Sequence, residues 1–565
     1  MGLLDPIPPP YDTLEWATRP LPDKSRMVCR SWALQGYGTP VAVYFVYLLK
    51  VVLYVGGWIF FCGFTPGLGE LGAIGQWWLE PLAFQKAIVW SLLFEVVGLG
   101  CGSGPLTGRY FPPIGGFLHF LRPGTTKLPL LRGLPGVGGA TRSALDVVLY
   151  AVLLISLVRA LVAPQLDAGL LLPLVVLVPL CGLLDKTVFL AARAEHYWVM
   201  IVVFAFASPW LAGAKAVQAA LWFWAGVSKL NHHFPAVVCV MTSNSPVTRF
   251  EWIRRLVYRN YPDDLRPSRI ATVMAHVGTA LELSVPIVLL LGDGGLLTTV
   301  GLVMMVMLHG FILSTVPMGV PIEWNVVVLY GGFFLFGQHA DVSLFALTDT
   351  PLLALFVGLF AVGLPLYGNL VPHRMSFLLS MRYYAGNWPY SVWLFRGDSH
   401  KKLGRLRKSS KWLYDQLDMF YERKVSVGLV GKVIAFRLMH LAGRALCRLV
   451  PRAVTDPSEY EWVDGELVAG LALGWNFGDG HLHDEQLIAA VQAQCGFEPG
   501  ELRCILVESQ PLHRQTMLWR IHDAATGELG RGEIGIAELR ELQPWSFDLP
   551  ETSPPASRSS QPRPL

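Results

Sequence analysis

Charged residues are scarce in this chain. Only 15% of its 565 residues are Asp, Glu, Lys or Arg, against about a quarter in soluble globular domains. Apolar residues make up 53%, and there are 19 Trp and 29 Phe, residue types that form belts at membrane interfaces. This composition predicts an all-α polytopic membrane helix bundle, with about ten transmembrane helices and a small cytoplasmic α+β unit at the C-terminal end.

Metal and disulfide patterns are also missing. The eight cysteines are scattered, Cys62 and Cys181 lie in apolar spans, and no CxxC pair or Cys/His cluster occurs. We therefore expect neither a zinc site nor a disulfide framework. The net charge of +4 does not indicate nucleic-acid binding. The polar, proline-rich start of the chain lacks the basic and apolar regions of a cleavable signal peptide.

Apolar runs near 20 residues, the length that crosses a bilayer, recur along the first two thirds of the chain. Loops predicted to lie inside hold most of the arginines, and the outer loops hold mainly acidic residues. The positive-inside rule then places both termini in the cytoplasm of a multi-pass cell-membrane protein. The ten predicted spans are residues 40–63, 81–101, 144–163, 169–190, 197–212, 214–231, 269–291, 296–315, 323–338 and 350–371.

Composition divides the chain into five segments. Residues 1–39 form a cytoplasmic N-terminal segment and 40–371 the helix bundle. Residues 372–450 are basic and aromatic, with an amphipathic helix from about residue 425. Residues 451–548 are a small soluble α+β unit, whose protein partner the sequence does not identify, and 549–565 a disordered tail.

The juxtamembrane segment, residues 372–450, predicts contact with a bilayer. Its basic residues at 401–411 suit anionic headgroups of the inner leaflet, and a solvated linker is the alternative. Aromatic residues suit an interface belt: Tyr383, Tyr384, Trp388, Tyr390 and Trp393. Within the soluble unit, ELVAGLALGWNF and LRCILVESQ are predicted strands, DEQLIAAVQAQCG a helix and TMLWRIHDAATGELGRGEI a hairpin.

Two loops have weaker signals. Glycines recur at positions 98, 100, 102 and 104, which predicts either an anion-binding nest or a tight turn. His481 and His483 could bind a metal together with Asp479 or Asp484. The favoured alternative is a turn before a helix, with Asp484 as its N-terminal cap and no metal.

A polar stripe near the middle of the chain is the strongest functional candidate. In the stretch from Ala212 to Phe234, helical spacing places Gln218, Trp222, Lys229 and His233 on one face. Charges inside a bilayer are costly and mark functional sites, although a lysine at a helix end also serves as an anchor. We predict that Gln218, Trp222 and His233 contact a ligand.

Several other ionisable residues fall in the inner half of the predicted membrane region. They include Glu95, His276 and Glu323, while Lys50 and Glu282 lie near mid-depth, and this clustering predicts a polar cavity open to the cytoplasmic side. Lys229 with His276 or Glu282 is the pair predicted to transfer a proton, since a desolvated lysine can act as a base. Lys50 with Glu95 is predicted to be a structural pair.

The residues AGVSKLN at 225–231 resemble a signature of the vitamin K-dependent carboxylase-like superfamily. The later stretch MLHGFILSTVPMGVPIEWN, which contains His309, is also similar to that family, and the resemblance covers roughly spans five to nine. It implies that Lys229 is a base and that the ligand is a quinone-like or prenyl lipid. Our own hypothesis adds His276, Glu282 or His309 as the assisting residue. Across nearly the whole chain, GPLTGRYFPP, GNWPYSVWLF and GDGHLHDEQ resemble an uncharacterised actinobacterial transmembrane family.

Two functions remain open at this point. The first is a membrane enzyme that acts on a quinone or isoprenoid lipid with Lys229 as base. The alternative is a non-catalytic carrier of lipids or envelope precursors, or a subunit of a membrane complex.

Overall fold

The computed structural model describes residues 2–100, 115–133, 138–206, 210–316, 321–378, 385–475, 482 and 484–545. Several sequence predictions lie outside the described residues: the glycine loop beyond Gly100, the Tyr383–Tyr384 part of the aromatic belt, the histidine pair of 481 and 483 with Asp479, and the tail 549–565.

Helices make up most of the first 375 residues. They are α1 (Thr13–Thr18), α2 (Leu21–Gln35), α3 (Val41–Gly63), α4 (Ile74–Trp77), α5 (Pro81–Val96), α6 (Gly115–Phe120), α7 (Ala144–Val162), α8 (Ala168–Leu184), α9 (Lys186–Ala191), α10 (Tyr197–Phe206), α11 (Trp210–Ser228), α12 (Phe234–Asn244) and α13 (Glu251–Val257). A two-stranded hairpin follows, of β1 (Tyr258–Asn260) and β2 (Asp264–Pro267). The next helices are α14 (Arg269–Leu291), α15 (Leu296–Leu313), α16 (Ile322–Gly331), α17 (Pro351–Gly358), α18 (Leu364–Leu370) and α19 (Pro372–Met375).

Within the described ranges, five helical segments are long and apolar enough to cross a membrane. They are Val41–Gly63, Ala144–Val162, Arg269–Leu291, Leu296–Leu313 and Pro351–Leu370, the last being α17 and α18 joined by a π turn. The number rises to six if the bent pair Arg423–Met439 and Leu441–Ala453 is one span. Length and hydropathy therefore do not confirm ten spans.

The other five predicted spans correspond to shorter or less apolar helices, and all of these except α8 are largely enclosed by protein. In α5, for example, 12 of the 16 residues are buried, and most of α10 is buried too. A helix enclosed by other helices is apolar because it belongs to a core, and a run of about 10–14 apolar residues is more typical of such a helix than of a full membrane span. Hydropathy alone cannot separate these two cases.

A five-stranded antiparallel sheet dominates the C-terminal part. Its strands are β3 (Tyr390–Arg396), β4 (Tyr460–Asp464), β5 (Leu502–Val507), β6 (Thr516–Asp523) and β7 (Gly527–Gly535), in the order β4-β3-β5-β6-β7. Around it lie α20 (Leu413–Leu417), α21 (Arg423–Met439), α22 (Leu441–Ala453), α23 (Gly465–Leu473), α24 (Glu485–Cys495) and α25 (Ile536–Glu541). The sheet takes β3 from the predicted juxtamembrane segment, so it extends beyond the predicted unit 451–548.

The sheet shares its hydrophobic core with helices from early in the chain. Trp16 of α1, Trp32 of α2 and Val240 of α12 belong to the same buried cluster as Trp393 of β3 and Phe436 of α21. We call this assembly, made of α1, α2, α12, α13, β1, β2 and residues 385–545, the sheet body. A second buried cluster, formed by α5, α7, α8, α10, α11 and the later apolar helices, is the core of the membrane region.

Predictions for the soluble unit have mixed outcomes. The strand at 502–507, the helix α24 with Asp484 as its cap, and the β6–β7 hairpin are confirmed. The predicted strand ELVAGLALGWNF is wrong, because residues 465–473 form α23. Asp464 caps its start through the backbone N–H of Glu466, and Gly474, at a φ of 64°, ends it. Alanine and leucine favour a helix once both ends are fixed in this way.

The described part of the aromatic belt is also wrong. Trp388, Tyr390 and Trp393 are buried in the sheet body, with 5%, 3% and 0% of their surface exposed. Interface belts and sheet cores both favour large aromatic residues, so composition does not distinguish them. Headgroup binding by residues 401–411 stays a prediction, although Lys402 pairs with Glu501 and Arg407 donates to the carbonyl of Pro123 at 2.8 Å.

The predicted amphipathic helix at 425–450 is instead two helices, α21 and α22, that meet at an angle of 102°. Its four basic residues, expected on a polar face, are buried: Lys432, Arg437, Arg444 and Arg448. Each finds partners within the protein. Lys432 donates to the carbonyl of Gly36 at 2.9 Å, and Arg437 donates to Asp464 at 2.7 Å. Buried charges require such partners.

Candidate functional site

A cavity of about 220 Å³ lies where the membrane region meets the sheet body. Its walls come from α11, α14, α15 and α16 of the membrane region and, on the sheet-body side, from α12 and from Ala385, Trp388, Phe436 and His440. Most of the lining is apolar. Small-molecule sites typically combine such a lining with a few fixed polar groups, and the cavity therefore is the candidate site.

The main charged group of the cavity is an ion pair between Lys229 and Glu282. Nζ of Lys229 contacts Oε2 of Glu282, and the two side chains are 9% and 4% exposed. The Lys229 ammonium also donates to the carbonyl of Ala225 at 3.3 Å. A buried charge is stabilised mainly by its partner, so each of these two side chains depends on the other.

The local sequence explains why Lys229 reaches the cavity. Helix α11 ends at Ser228, and α12 begins at Phe234. Pro235 cannot continue the earlier helix, because it lacks an N–H and its ring clashes with the preceding turn. The side chain of Asn231 instead accepts from the backbone N–H groups of His233 and Phe234, at 2.7 and 3.2 Å. The single helical stripe from Gln218 to His233 is therefore wrong.

His309 is the second polar group of the cavity, and both of its nitrogens are occupied. Nε1 of Trp222 donates to Nε2 of His309 at 2.8 Å. An indole N–H is only a donor, so Nδ1 carries the histidine proton. It donates to Oδ1 of Asn325 at 2.8 Å, while the amide of Asn325 donates to the carbonyl of Pro321. The ring is held neutral in one orientation.

Four of the seven predicted site residues line this cavity: Trp222, Lys229, Glu282 and His309. The structure places the other three elsewhere. Gln218 is buried and donates to the carbonyl of Val328 at 3.1 Å. His233 is buried against Gln510 of the sheet body, at 3.1 Å, and His276 is exposed on α14. The catalytic and ligand-binding roles of all seven stay predictions.

Asn325, an amide inside an apolar span, belongs to the inner-half polar residues from which the sequence predicts a polar cavity, and it lines the cavity. Two other residues of the wall, Trp388 and His440, were not predicted as site residues. Trp388 was assigned to the membrane interface, and His440 lay within a predicted amphipathic helix. Both are contributed by the sheet body, and no local pattern indicates that this part of the chain reaches the membrane helices.

A network of buried charges lies beside the cavity. Arg193 donates to Glu95 at 2.7 Å and lies 4.0 Å from Glu323, which pairs with Lys50 at 3.0 Å. The predicted pair of Lys50 and Glu95 is thus replaced by a group of two cations and two carboxylates. The Arg193 guanidinium also lies 4.2 Å from the ring of Trp324, a cavity residue. This network fixes the wall through charge-assisted contacts.

Comparison with known proteins gives a family but no activity. No curated protein matches the chain, and no solved structure matches it. The resemblance to the carboxylases therefore has no support from these comparisons. A family described as a transmembrane protein of unknown function (DUF3556) matches residues 1–556. This match spans nearly the whole chain and agrees with its apolar helices, and the chain belongs to the DUF3556 family of transmembrane proteins.

Proposed function

We propose that this transmembrane protein binds a quinone-like or isoprenoid lipid in the cavity between its membrane helices and its sheet body. The observation that carries the proposal is the cavity's position at the surface of two membrane-spanning helices. Met274 of α14 and Phe311 of α15 both line it, and they are 36% and 52% exposed. Residues exposed on spanning helices face hydrocarbon, so a lipid can reach the cavity from within the bilayer.

The polar groups favour binding over lysine-base catalysis. A base must be neutral before it accepts a proton, but Lys229 is paired with Glu282. Both nitrogens of His309 are also engaged. We therefore propose a lipid-binding protein, such as a carrier of lipids or envelope precursors.

The second candidate is an enzyme in which Lys229 deprotonates a reduced quinone. Its support is that Lys229, Glu282 and His309 all line the same cavity.

Filling the cavity tests the binding proposal. Gly278 lies in the wall, and a Cβ added there would meet Cε1 of Phe234 at 3.8 Å, an ordinary contact. We expect Gly278→Leu to remove lipids that co-purify with the wild-type protein, as measured by native mass spectrometry. Gly310→Leu is the matched control, because Gly310 is exposed on α15 with open space around it. Equal lipid content in both variants would contradict the proposal.

Redox measurements separate the two candidates. If the protein is a lysine-base enzyme, purified protein supplied with a reduced quinone and dioxygen as the electron acceptor oxidises the quinone, and Lys229→Met abolishes that turnover. A binding protein retains the quinone unchanged. Turnover that survives Lys229→Met would eliminate the second candidate.

We also propose that the chain crosses the membrane ten times, as five helical hairpins that each start and end at the sheet body. An odd number of crossings, such as the five full-length spans, would place the two ends of the chain on opposite sides of the membrane. The early helices α1 and α2 share one core with the late sheet, which requires both ends on the same side. The intervening loops return to the same body at regular intervals, which supports an even number of crossings. Helices enclosed by others can cross without being apolar on every face.

Contacts between the loops and the sheet body support this pairing. They are the hydrogen bond from Gln494 to Thr126 at 3.0 Å, the ion pair of Lys186 with Asp484 at 2.5 Å, the contact of His233 with Gln510, the bond from Ser245 to the carbonyl of Ser314 at 2.9 Å, and the bond from the Leu512 N–H to the carbonyl of Asn369 at 2.8 Å. Successive contacts are separated by one pair of the ten predicted spans.

A further inference from the structure

Two polar atoms in the sheet-body wall of the cavity lack a hydrogen-bond partner among the described residues. They are Nε1 of Trp388 and Nε2 of His440. Both side chains line the cavity and are at least nine-tenths buried, with 5% and 1% exposed. Buried polar groups are nearly always paired, so two unpaired atoms in a cavity wall point to a ligand.

The chemistry of the two atoms is complementary. An indole N–H can only donate. Nδ1 of His440 donates to the carbonyl of Phe436 at 2.7 Å, and in the neutral ring this leaves Nε2 as an acceptor. The two rings are in contact, with centroids 5.3 Å apart. The wall therefore offers one donor and one acceptor close together.

A hydroxyl group satisfies both atoms at once, because its oxygen accepts and its hydrogen donates. A quinone carbonyl or an ether oxygen accepts from Trp388 and leaves His440 unpaired. We propose that the cavity selects a lipid with a hydroxyl group, either an isoprenoid alcohol or a phenol such as a hydroquinone. This inference rests on the proposed function and specifies the head group of its ligand.

Matched ligand pairs test the preference. The probes are geranylgeraniol with its methyl ether, and 2-methyl-1,4-naphthohydroquinone with its dimethyl ether. Equilibrium binding of labelled probes to the purified full-length protein in detergent gives the four dissociation constants. We expect at least one hydroxyl probe to bind about tenfold more tightly than its ether, as for loss of a hydrogen bond to a buried group. The pair that shows the difference identifies the alcohol or the phenol as the source.

Substitutions test the role of each of the two side chains. Trp388→Phe and His440→Phe each remove one hydrogen-bonding atom and retain an aromatic ring. His440→Phe is expected to reduce the preference for the hydroxyl probe severalfold while ether binding stays unchanged, because only the hydroxyl donates to this side chain. Trp388→Phe is expected to weaken binding of the hydroxyl and the ether probe alike, because both oxygens accept from the indole N–H. His513→Phe, which changes an exposed histidine of the sheet body outside the cavity, is the control. Thermal melting of each variant verifies folding, and His440→Leu replaces His440→Phe if the latter does not fold.

The possible failures are distinguishable. Equal binding of hydroxyl and ether probes to the wild-type protein would overturn this inference and leave the proposed function intact, provided that Gly278→Leu abolishes binding of both. Dissociation constants of the hydroxyl probe that neither variant changes would overturn the inference and would mean that a bound water, rather than a ligand, pairs the two atoms. If no probe binds, the inference and the proposed function fail together.

Discussion

At the scale of single residues, Lys229 and Glu282 dominate the electrostatics of the cavity. Each is almost fully buried, and each finds in the other its main charged partner. Desolvation makes such a pair costly to form, but removal of one partner alone leaves an uncompensated charge. Replacing one of the two residues should therefore lower the free energy of unfolding more than replacing both with apolar residues.

Glu282→Gln should destabilise the protein by about 3–5 kcal/mol, because it leaves the Lys229 ammonium buried without a counter-charge. The double variant Lys229→Met with Glu282→Leu should recover most of that loss, since apolar residues of similar size suit an apolar wall. Thermal melting of the purified variants in detergent measures both effects. A double variant as unstable as Glu282→Gln would show that the ion pair has a role beyond charge compensation.

A second residue pair predicts a pH dependence of stability. His400 lies 2.9 Å from Glu461, and this pairing raises the pKa of His400 above its usual value of 6.5. A group whose pKa is raised on folding contributes stability that is complete below its unfolded pKa and is lost as the pH rises through the folded pKa. The contribution should be small, about 0.5 kcal/mol, because both side chains are partly exposed.

Melting temperatures measured between about pH 6 and pH 8.5 should thus fall less steeply with rising pH in His400→Gln than in the wild-type protein. His513→Gln provides the control, because His513 is exposed in a loop of the same body. Identical slopes for the wild-type protein and His400→Gln would exclude a contribution of this pair.

At the scale of elements, local pattern and long-range packing determined different parts of the fold. Helix α24 and the β6–β7 hairpin are predictable because a cap and a turn lie within a few residues of each other. Helices α21 and α22 are not predictable in the same way. The spacing of their basic residues is typical of a solvent-exposed helix face. These residues are buried because they pair with residues outside their own helix, as Arg437 does with Asp464. Sequence patterns do not encode partners that far along the chain.

Arg437 is expected to hold α21 against the start of α23. It donates to Asp464 at 2.7 Å and pairs with Glu466, and all three side chains are at most 6% exposed. Arg437→Met should lower stability by about 3–5 kcal/mol, because two carboxylates lose their common cation. Arg396→Met, in an exposed pair with Glu459, should cost less than about 1 kcal/mol. Similar melting temperatures for the two variants would contradict this assignment.

At the scale of the whole molecule, the number of membrane crossings is the main expectation open to test.

For the candidate site, as for the fold, the sequence predicts local features but not contacts between distant parts of the chain. Lys229, Glu282 and His309 were identifiable because ionisable residues in apolar helices are rare. The wall formed by Trp388 and His440 was not identifiable, since it depends on how two bodies assemble.

Single cysteines introduced at exposed positions test the proposed topology. The cysteines of the described residues are all buried, so they should react slowly. Thr18→Cys and Thr526→Cys lie on the sheet body, and Asp293→Cys lies between α14 and α15. With the body in the cytoplasm, a membrane-impermeant maleimide should label only Asp293→Cys in intact cells, and all three after permeabilisation. Labelling of Thr18→Cys and Asp293→Cys on the same side would exclude the ten-crossing arrangement.

The shared construction of the cavity has a consequence for experiments that dissect the protein. Since Trp388 and His440 close a space that α11, α14 and α15 leave open, a truncation after the last membrane helix would not yield a simpler, functional core. It would expose the apolar interior to water. A molecule bound in the cavity also stabilises the contact between the sheet body and the membrane helices. By thermodynamic linkage, this contact strengthens binding of the molecule by the same factor.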